Sequence, residues 1–174
     1  MKEDIPKMFE DIHKAESDAI FRFCLVRVSN RDQALDLTQE TFLRLWQSLT
    51  DGKEILNNRA FLFTVARRLV IDWYRKKKSF SLDQMLGDEI EPKYDVPEKA
   101  DGDSILCGAE GRYLLEKLND LDIVHRQPVY LRFVEGLSPG EIGEILGISS
   151  NTASVRINRG LNELRKQTGY DNNN

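Results

Sequence analysis

Leu137–Lys166 reads LSPGEIGEILGISSNTASVRINRGLNELRK, and its punctuation describes two short helices joined by a tight turn. Ser138 suits an N-cap, Pro139 suits the first helical position, and Glu141 closes an S-x-x-E capping box. Ile142, Ile145 and Leu146 recur at helical spacing, and Gly147 can take the left-handed conformation that ends a helix. Ser149 can cap a second helix whose inner stripe is Ala153, Ile157, Leu161 and Leu164. Its outer stripe is Ser150, Asn151, Ser154, Val155 and Asn158, with Arg156, Arg159 and Arg165 beside it. Amides and hydroxyls can pair with base edges, Val155 can touch a thymine methyl, and the arginines can hold phosphates. The plainer reading is a helical hairpin whose polar face meets water. Small polar residues are poor helix formers, however, and helicity alone would favour Glu, Lys and Ala there. DNA reading is the preferred interpretation.

Upstream, residues 109–121 form a helical pattern carrying Leu114, Leu115, Leu118 and Leu121. Asp120 or Asp122 starts another helix, in which Val129, Leu131 and Val134 pack before Gly136. Pro128 is expected in its first turn, or else as a kink. Downstream, residues 169–174 read as a frayed tail. Residues 79–108 hold eight acids, two bases, two prolines and several glycines without sustained periodicity, which describes a flexible acidic linker.

Before the linker stands RAFLFTVARRLVIDWYRKKK, with seven basic residues and one acid between Arg59 and Lys78. Asn57 or Asn58 offers its N-cap. Leu62, Val65, Ala66, Leu69 and Trp73 can fill a core while Arg67, Arg68, Arg75, Lys76 and Lys77 face outward. Phe63, Val70 and Tyr74 form a further stripe. Cations that follow phosphates, with rings that stack on unpaired bases, fit single-stranded or opening DNA. Two other readings compete: aromatics wholly in the core above a dipole-favoured basic helix end, and a basic amphipathic helix on an anionic membrane.

Residues 5–29 read as the first helix, with Ile12, Ala15, Ala19, Ile20, Phe23 and Val26 on one broad face. Asn30 and Gln33 can open a second, from Arg31 to Leu49, which packs Leu35, Phe42, Leu45 and Leu49 inward. Its other side shows Asp36, Gln39, Glu40 and Arg44 with the large apolar Leu43 and Trp46. This face suits docking to a partner protein, or is solvated with Trp46 turned into its own core. The expected fold is therefore all-α, with two small helical domains joined by the linker.

The 174 residues suffice for that plan, and the net charge of −4 argues against a uniformly DNA-coating protein. Its distribution is uneven: residues 1–78 carry net +3, 79–108 net −6 and 109–174 net −1. Cys24 and Cys107 are the only cysteines, and their placement gives no disulfide framework or zinc spacing. Cys24 falls in an apolar run and is expected in the core; Cys107 has no assigned role. His13 and His125 stand apart, without a nucleophile triad, phosphate loop or metal spacing, so surface and capping roles suit both. No catalytic site, metal or cofactor is expected. The N-terminus lacks a signal-peptide core, and no apolar run approaches spanning length, which gives cytoplasm as the default.

DLTQETFLRLW followed by FLFTVARRLVIDWYRKKK resembles domain 2 of a bacterial sigma factor of the small extracytoplasmic-function group. YLRFVEGLSPGEIGEILGISSNTASVRINRGLNELRK resembles domain 4, and the likeness covers about residues 9–78 and 110–167. The resemblance implies domain 2 at 1–78, linker at 79–108, domain 4 at 109–168 and a tail at 169–174. It implies that Asp36, Gln39, Glu40, Leu43 and Trp46 meet the clamp helices of the largest polymerase subunit, and that the flap of the second-largest subunit is a further contact. Asn57, Asn58, Phe63, Arg67, Arg68, Tyr74, Arg75, Lys76 and Lys77 would recognise and open the minus-10 element. Ser150, Asn151, Thr152, Ser154, Val155, Arg156, Asn158 and Arg159 would read the minus-35 element. An anti-sigma factor is implied as a partner, the free chain being a monomer.

Three positions depart from the family pattern. Arg68 stands where an asparagine is common, beside the pocket for a flipped base. Thr152–Arg156 reads T-A-S-V-R rather than a sequence close to T-V-K-S-R, which exchanges a cation for an apolar contact. Pro128 replaces an aliphatic residue. The alternative function is an autonomous helix-turn-helix regulator, which would bind paired half-sites as a dimer.

Overall fold

The computed structural model describes residues 4–78, 91–97 and 108–169. Residues 79–90 and 98–107 of the expected linker, Cys107 among them, and residues 170–174 of the expected tail lie outside the described residues. Among the described residues there are seven α-helices and no strand. They fall into two units that meet between Pro92 and Lys93.

The first unit is built from α1 (Ile5–Val28), α2 (Arg31–Thr50) and α3 (Asn58–Lys78). Ser29 closes α1 in the left-handed conformation, its N–H bonded to the Leu25 carbonyl. Asn30 then caps α2, accepting from the Gln33 N–H at 3.0 Å. Ile20, Phe23, Cys24, Leu45, Leu62, Phe63 and Ala66 are buried between the three helices. Each large apolar side chain so enclosed contributes about 1.5–3 kcal/mol. The first half of α1 packs more loosely: Ala15 is exposed and Ile12 half-buried, while Phe9 meets Phe42 and Trp46 edge to face. Leu35, expected inward, is exposed instead, because Ala34, Leu37 and Thr38 take the inner face of the first two turns of α2. The hydroxyls of Thr38 and Thr41 bond back to the carbonyls of Ala34 and Leu37, which allows polar side chains in that core.

Arg27 is a buried charge in this unit. Its guanidinium lies 3.6 Å from the Phe23 ring centroid, donates to the Phe23 carbonyl and pairs with Glu91 at 3.3 Å. Opposite charge and donated hydrogen bonds are what make such burial tolerable.

The second unit holds α4 (Ala109–Asn119), α5 (Ile123–Phe133), α6 (Pro139–Leu146) and α7 (Ser150–Thr168). Asp122, not Asp120, caps α5, accepting from the Val124 N–H. Pro128 lies in the interior of α5 rather than its first turn. Having no N–H, it cannot bond to the Val124 carbonyl, yet it is buried and the helix continues through it to Phe133. Arg126 donates to the carbonyls of Leu118, Asn119 and Leu121, supplying the partners that the end of α4 lacks. Lys93–Pro97, expected in the linker, belong to this unit, and Tyr94 and Val96 are buried in it. The cause is side-chain chemistry: an aromatic and an aliphatic residue at alternate positions can be enclosed even in an acidic surrounding.

The helix pair at α6 and α7 is built as its punctuation indicates. Ser138 and Glu141 make a complete capping box, and Gly147 ends α6 at φ +68°. Ser149 caps α7 through the Thr152 N–H. A Cβ on Gly143 would lie 2.7 Å from the Ile148 carbonyl oxygen, so the turn comes back on α6 at a distance that only glycine permits.

Candidate nucleic-acid interface

In the second unit, α7 presents its first half to solvent while Ala153, Ile157 and Gly160 are buried beneath. Ser150, Asn151, Val155, Asn158 and Arg159 are exposed, and Ser154 and Arg156 half-buried. Thr152 is the exception in this set. Its N–H and hydroxyl are both engaged by Ser149, at 3.0 and 2.8 Å, so it fixes the helix start rather than reaching outward. The first turn contains no acid, which leaves the positive end of the helix dipole available to a phosphate. A capped, rigid helix with outward amides and cations can place hydrogen bonds on base edges.

In the first unit, α3 carries the expected basic residues, but not as one patch. Asn57 caps the helix through the Ala60 N–H at 2.9 Å. Asn58 follows within it, its Oδ1 buried with no hydrogen-bond partner among the described residues. Arg75, Lys76 and Lys77 are exposed near the other end, about 28 Å away by helical rise. Arg68 is exposed and Arg67 half-buried between them.

Phe63 does not belong on this face. It is fully buried, edge to face with Phe23 at 5.3 Å, because its position in the helix points into the core between α1 and α3. Val70 is buried as well. Tyr74 is half-buried, and its hydroxyl donates to the Arg27 carbonyl. Burial, then the Glu91 carboxylate, raises its pKa above the ordinary tyrosine value. Trp73 donates to Gln33 Oε1 at 2.9 Å, tying α3 to α2, and Lys77 stands over its ring at 4.9 Å. The aromatics of α3 are thus mostly structural, and the cations make its outer surface.

The resemblance gives the loop before α3 to the minus-10 element without singling out Leu56. It sits in the turn before α3, 91% exposed, beside Asn57. Its only signal in the chain was an apolar residue inside a polar turn.

On α2, Asp36, Gln39 and Leu43 are exposed and Glu40 half-buried. Arg44 holds Glu40 at 2.9 Å on the same face. Trp46 is half-buried and packs on Phe9 at 5.2 Å, so its ring lies largely within its own unit. Leu43, 48% exposed among polar neighbours, has the form of an anchor for a partner.

Neither histidine is isolated. His13 packs against Phe42 at 4.6 Å, and His125 Nδ1 lies 2.6 Å from Glu163 on α7. Among the described residues no group of His, Cys, Asp or Glu could hold a metal, and no helix is long and apolar enough to cross a membrane.

Comparison with known proteins gives the two units separate matches. Residues 12–80 match the family model for Sigma-70 region 2, and residues 115–166 that for Sigma-70, region 4. The ECF RNA polymerase sigma factor SigW of Bacillus subtilis (strain 168) is 34% identical over 168 residues, covering 91% of this chain and 88% of that protein. The RNA polymerase sigma factor YlaC of the same strain is 27% identical, covering 90% of each. Among solved structures, the sigma factor RpoE from Bartonella quintana, in complex with the anti-sigma factor NepR, has a TM-score of 0.69 at 25% identity. That likeness covers 95% of this chain and 99% of RpoE. CnrH, solved with the cytosolic domain of CnrY, shares the fold at TM-score 0.65 and 20% identity, over 96% of this chain and 91% of CnrH.

Proposed function

The chain belongs to the sigma-70 family of RNA polymerase sigma factors, in its extracytoplasmic-function group, and from that premise we propose how its surfaces divide the work. It is an RNA polymerase sigma factor, directing promoter-specific initiation. The autonomous-regulator alternative is not favoured.

The minus-35 element is read by Ser150, Asn151, Ser154, Val155, Asn158 and Arg159 on α7, with Arg156 at the flank. One observation carries this assignment: the exposed first half of α7 combines amides and cations with an acid-free start capped by Ser149. The minus-10 element meets the outer surface of α3, where Arg67, Arg68, Arg75, Lys76 and Lys77 follow the phosphates. Asn57, Asn58 and Leu56 form the other end of that surface. Tyr74 supports it through Arg27, and Phe63 supports it from the core.

Asp36, Gln39, Glu40 and Leu43 take the clamp helices of the largest polymerase subunit, Trp46 backing them, while the second unit meets the flap of the second-largest. The chain supplies specificity and the polymerase core supplies catalysis. It works as a monomer in the cytoplasm, where polymerase and promoters are. An anti-sigma factor restrains it, a reading supported by RpoE's complex with NepR.

Run-off transcription with purified core polymerase tests the whole scheme. Core-dependent initiation at the promoter of its own gene is the expected result. Binding of that promoter by the chain alone, as tight as with core present, would overturn it.

A further inference from the structure

Asn119, the last residue of α4, holds both backbone groups of Tyr94. Its Oδ1 accepts the Tyr94 N–H at 2.7 Å, and its Nδ2 donates to the Tyr94 carbonyl at 2.8 Å. Such a pair reads a peptide backbone as a neighbouring strand would. The side chain is read as well. Tyr94 is 2% exposed, its ring centroid 5.1 Å from that of Tyr130 and 5.9 Å from the Arg126 guanidinium carbon. Val96 is buried, while Lys93 and Asp95 are exposed, giving the period of two that an extended segment shows. Pro92 and Pro97 bracket the segment and favour extended backbone at their preceding residues.

The same stretch of α5 faces α7. Arg126 and Tyr130 meet Tyr94, whereas His125 and Val129 press on Gly160 of α7. A Cβ at Gly160 would lie 2.5 Å from Val129 Cγ2. Two turns of α5 therefore have the segment on one side and the DNA-reading helix on the other.

We infer that the second unit carries a binding site for an extended aromatic-x-aliphatic peptide, that Tyr94–Val96 fills it in cis as a strap, and that its docking sets how firmly α5 supports α7. The site goes beyond promoter recognition; only the consequence for minus-35 binding rests on the sigma-factor reading. A segment bound in cis needs little intrinsic affinity, since its effective concentration is high, so it can dock and release. Release removes the aromatic cover from Arg126 and Tyr130 and lowers the local opening energy of α5.

Amide hydrogen exchange on the full chain tests this. Tyr94→Ala should speed exchange at residues 126–131 at least about tenfold. A peptide spanning residues 91–97, EPKYDVP, added in excess to the Tyr94→Ala chain, should restore protection; the same peptide with alanine for tyrosine should not. Wild-type exchange in the Tyr94→Ala chain would overturn the proposal, as would equal rescue by both peptides. If Tyr94→Ala instead unfolds α4–α7 altogether, Val96→Ser decides. Faster exchange confined to the end of α4 and to α5 supports the strap, and exchange unchanged there overturns it. These readouts need no DNA or polymerase, so they stand apart from any failure in transcription.

Discussion

His125 Nδ1 and Glu163 Oε1 are 2.6 Å apart, joining the first turn of α5 to the second half of α7. Glu163 is 38% exposed at its side chain, so solvent screens the pair and it contributes at most about 1 kcal/mol. Glu163→Ala should therefore lower stability towards urea by about 0.5–1 kcal/mol. Unfolding midpoints that do not change in Glu163→Ala would show that the contact contributes nothing measurable.

Gly160 decides a larger effect. Alanine is the better helix former by about 1 kcal/mol, but its Cβ would meet Val129 and His125 side chains, and overpacking costs about 1–3 kcal/mol. Gly160→Ala should be net destabilising by up to about 2 kcal/mol and weaken minus-35 binding without altering base preference. Gly143→Ala should cost more, because the obstruction there is the Ile148 carbonyl, a backbone atom that cannot rotate away. Equilibrium unfolding of the two variants checks the order.

Cys24 gives the pH dependence. Burial pushes its thiol up to about 12 from an ordinary value of 9.0, against smaller lowering by Arg27 and the Thr38 hydrogen bond. The unfolded chain thus releases this proton first. Its contribution to stability is complete below pH 9 and is lost as pH rises towards 12, at up to about 1.4 kcal/mol per unit. Cys24→Ala should be less stable near pH 7 because it leaves a small cavity, yet lose stability less steeply between pH 9 and 10.5. Parallel slopes in urea titrations would show that the thiol does not titrate on unfolding.

The helix-turn-helix was legible because its signals are local: Ser138, Glu141, Gly147 and Ser149 each act within a few residues of their own backbone. The basic stretch of α3 was legible as composition, whereas Phe63 and Tyr74 were not separable from the surface by spacing. Which ring is buried depends on where α1 crosses α3, and that is settled by Phe23 and Arg27, some 40 residues away. Gly160 was missed because pattern reading seeks apolar side chains, while α5 and α7 meet where there is none. Tyr94 and Val96 were passed over because charge dominated the reading of their neighbourhood. Leu56, an exposed apolar residue in a turn, had no period to betray it.

Leu43 should separate polymerase binding from folding. At 48% exposure it contributes little to its own core, so Leu43→Ser should change stability by no more than about 0.5 kcal/mol. Removing an apolar anchor from a protein interface costs about 1 kcal/mol or more in affinity, a loss that should appear in core-polymerase binding measured by fluorescence anisotropy. Phe42→Ser, one position away but buried, should instead unfold the first unit.

Arg159 and Lys76 lie on different units, and their loss should be distinguishable by salt and by promoter step. Arg159 is exposed on α7, and removing one phosphate contact should reduce the log–log salt slope of minus-35 binding by about 0.9. Ser154→Lys, adding a charge at that groove, should raise the slope by a similar amount. Lys76→Ala and Arg67→Ala should leave polymerase binding unchanged but slow promoter opening, read by permanganate reactivity of unpaired thymines. Leu56→Ser should act in the same step, since an exposed apolar wedge helps hold separated bases apart. If Arg67→Ala abolished core binding and spared opening, the faces assigned to α2 and α3 would have to be exchanged.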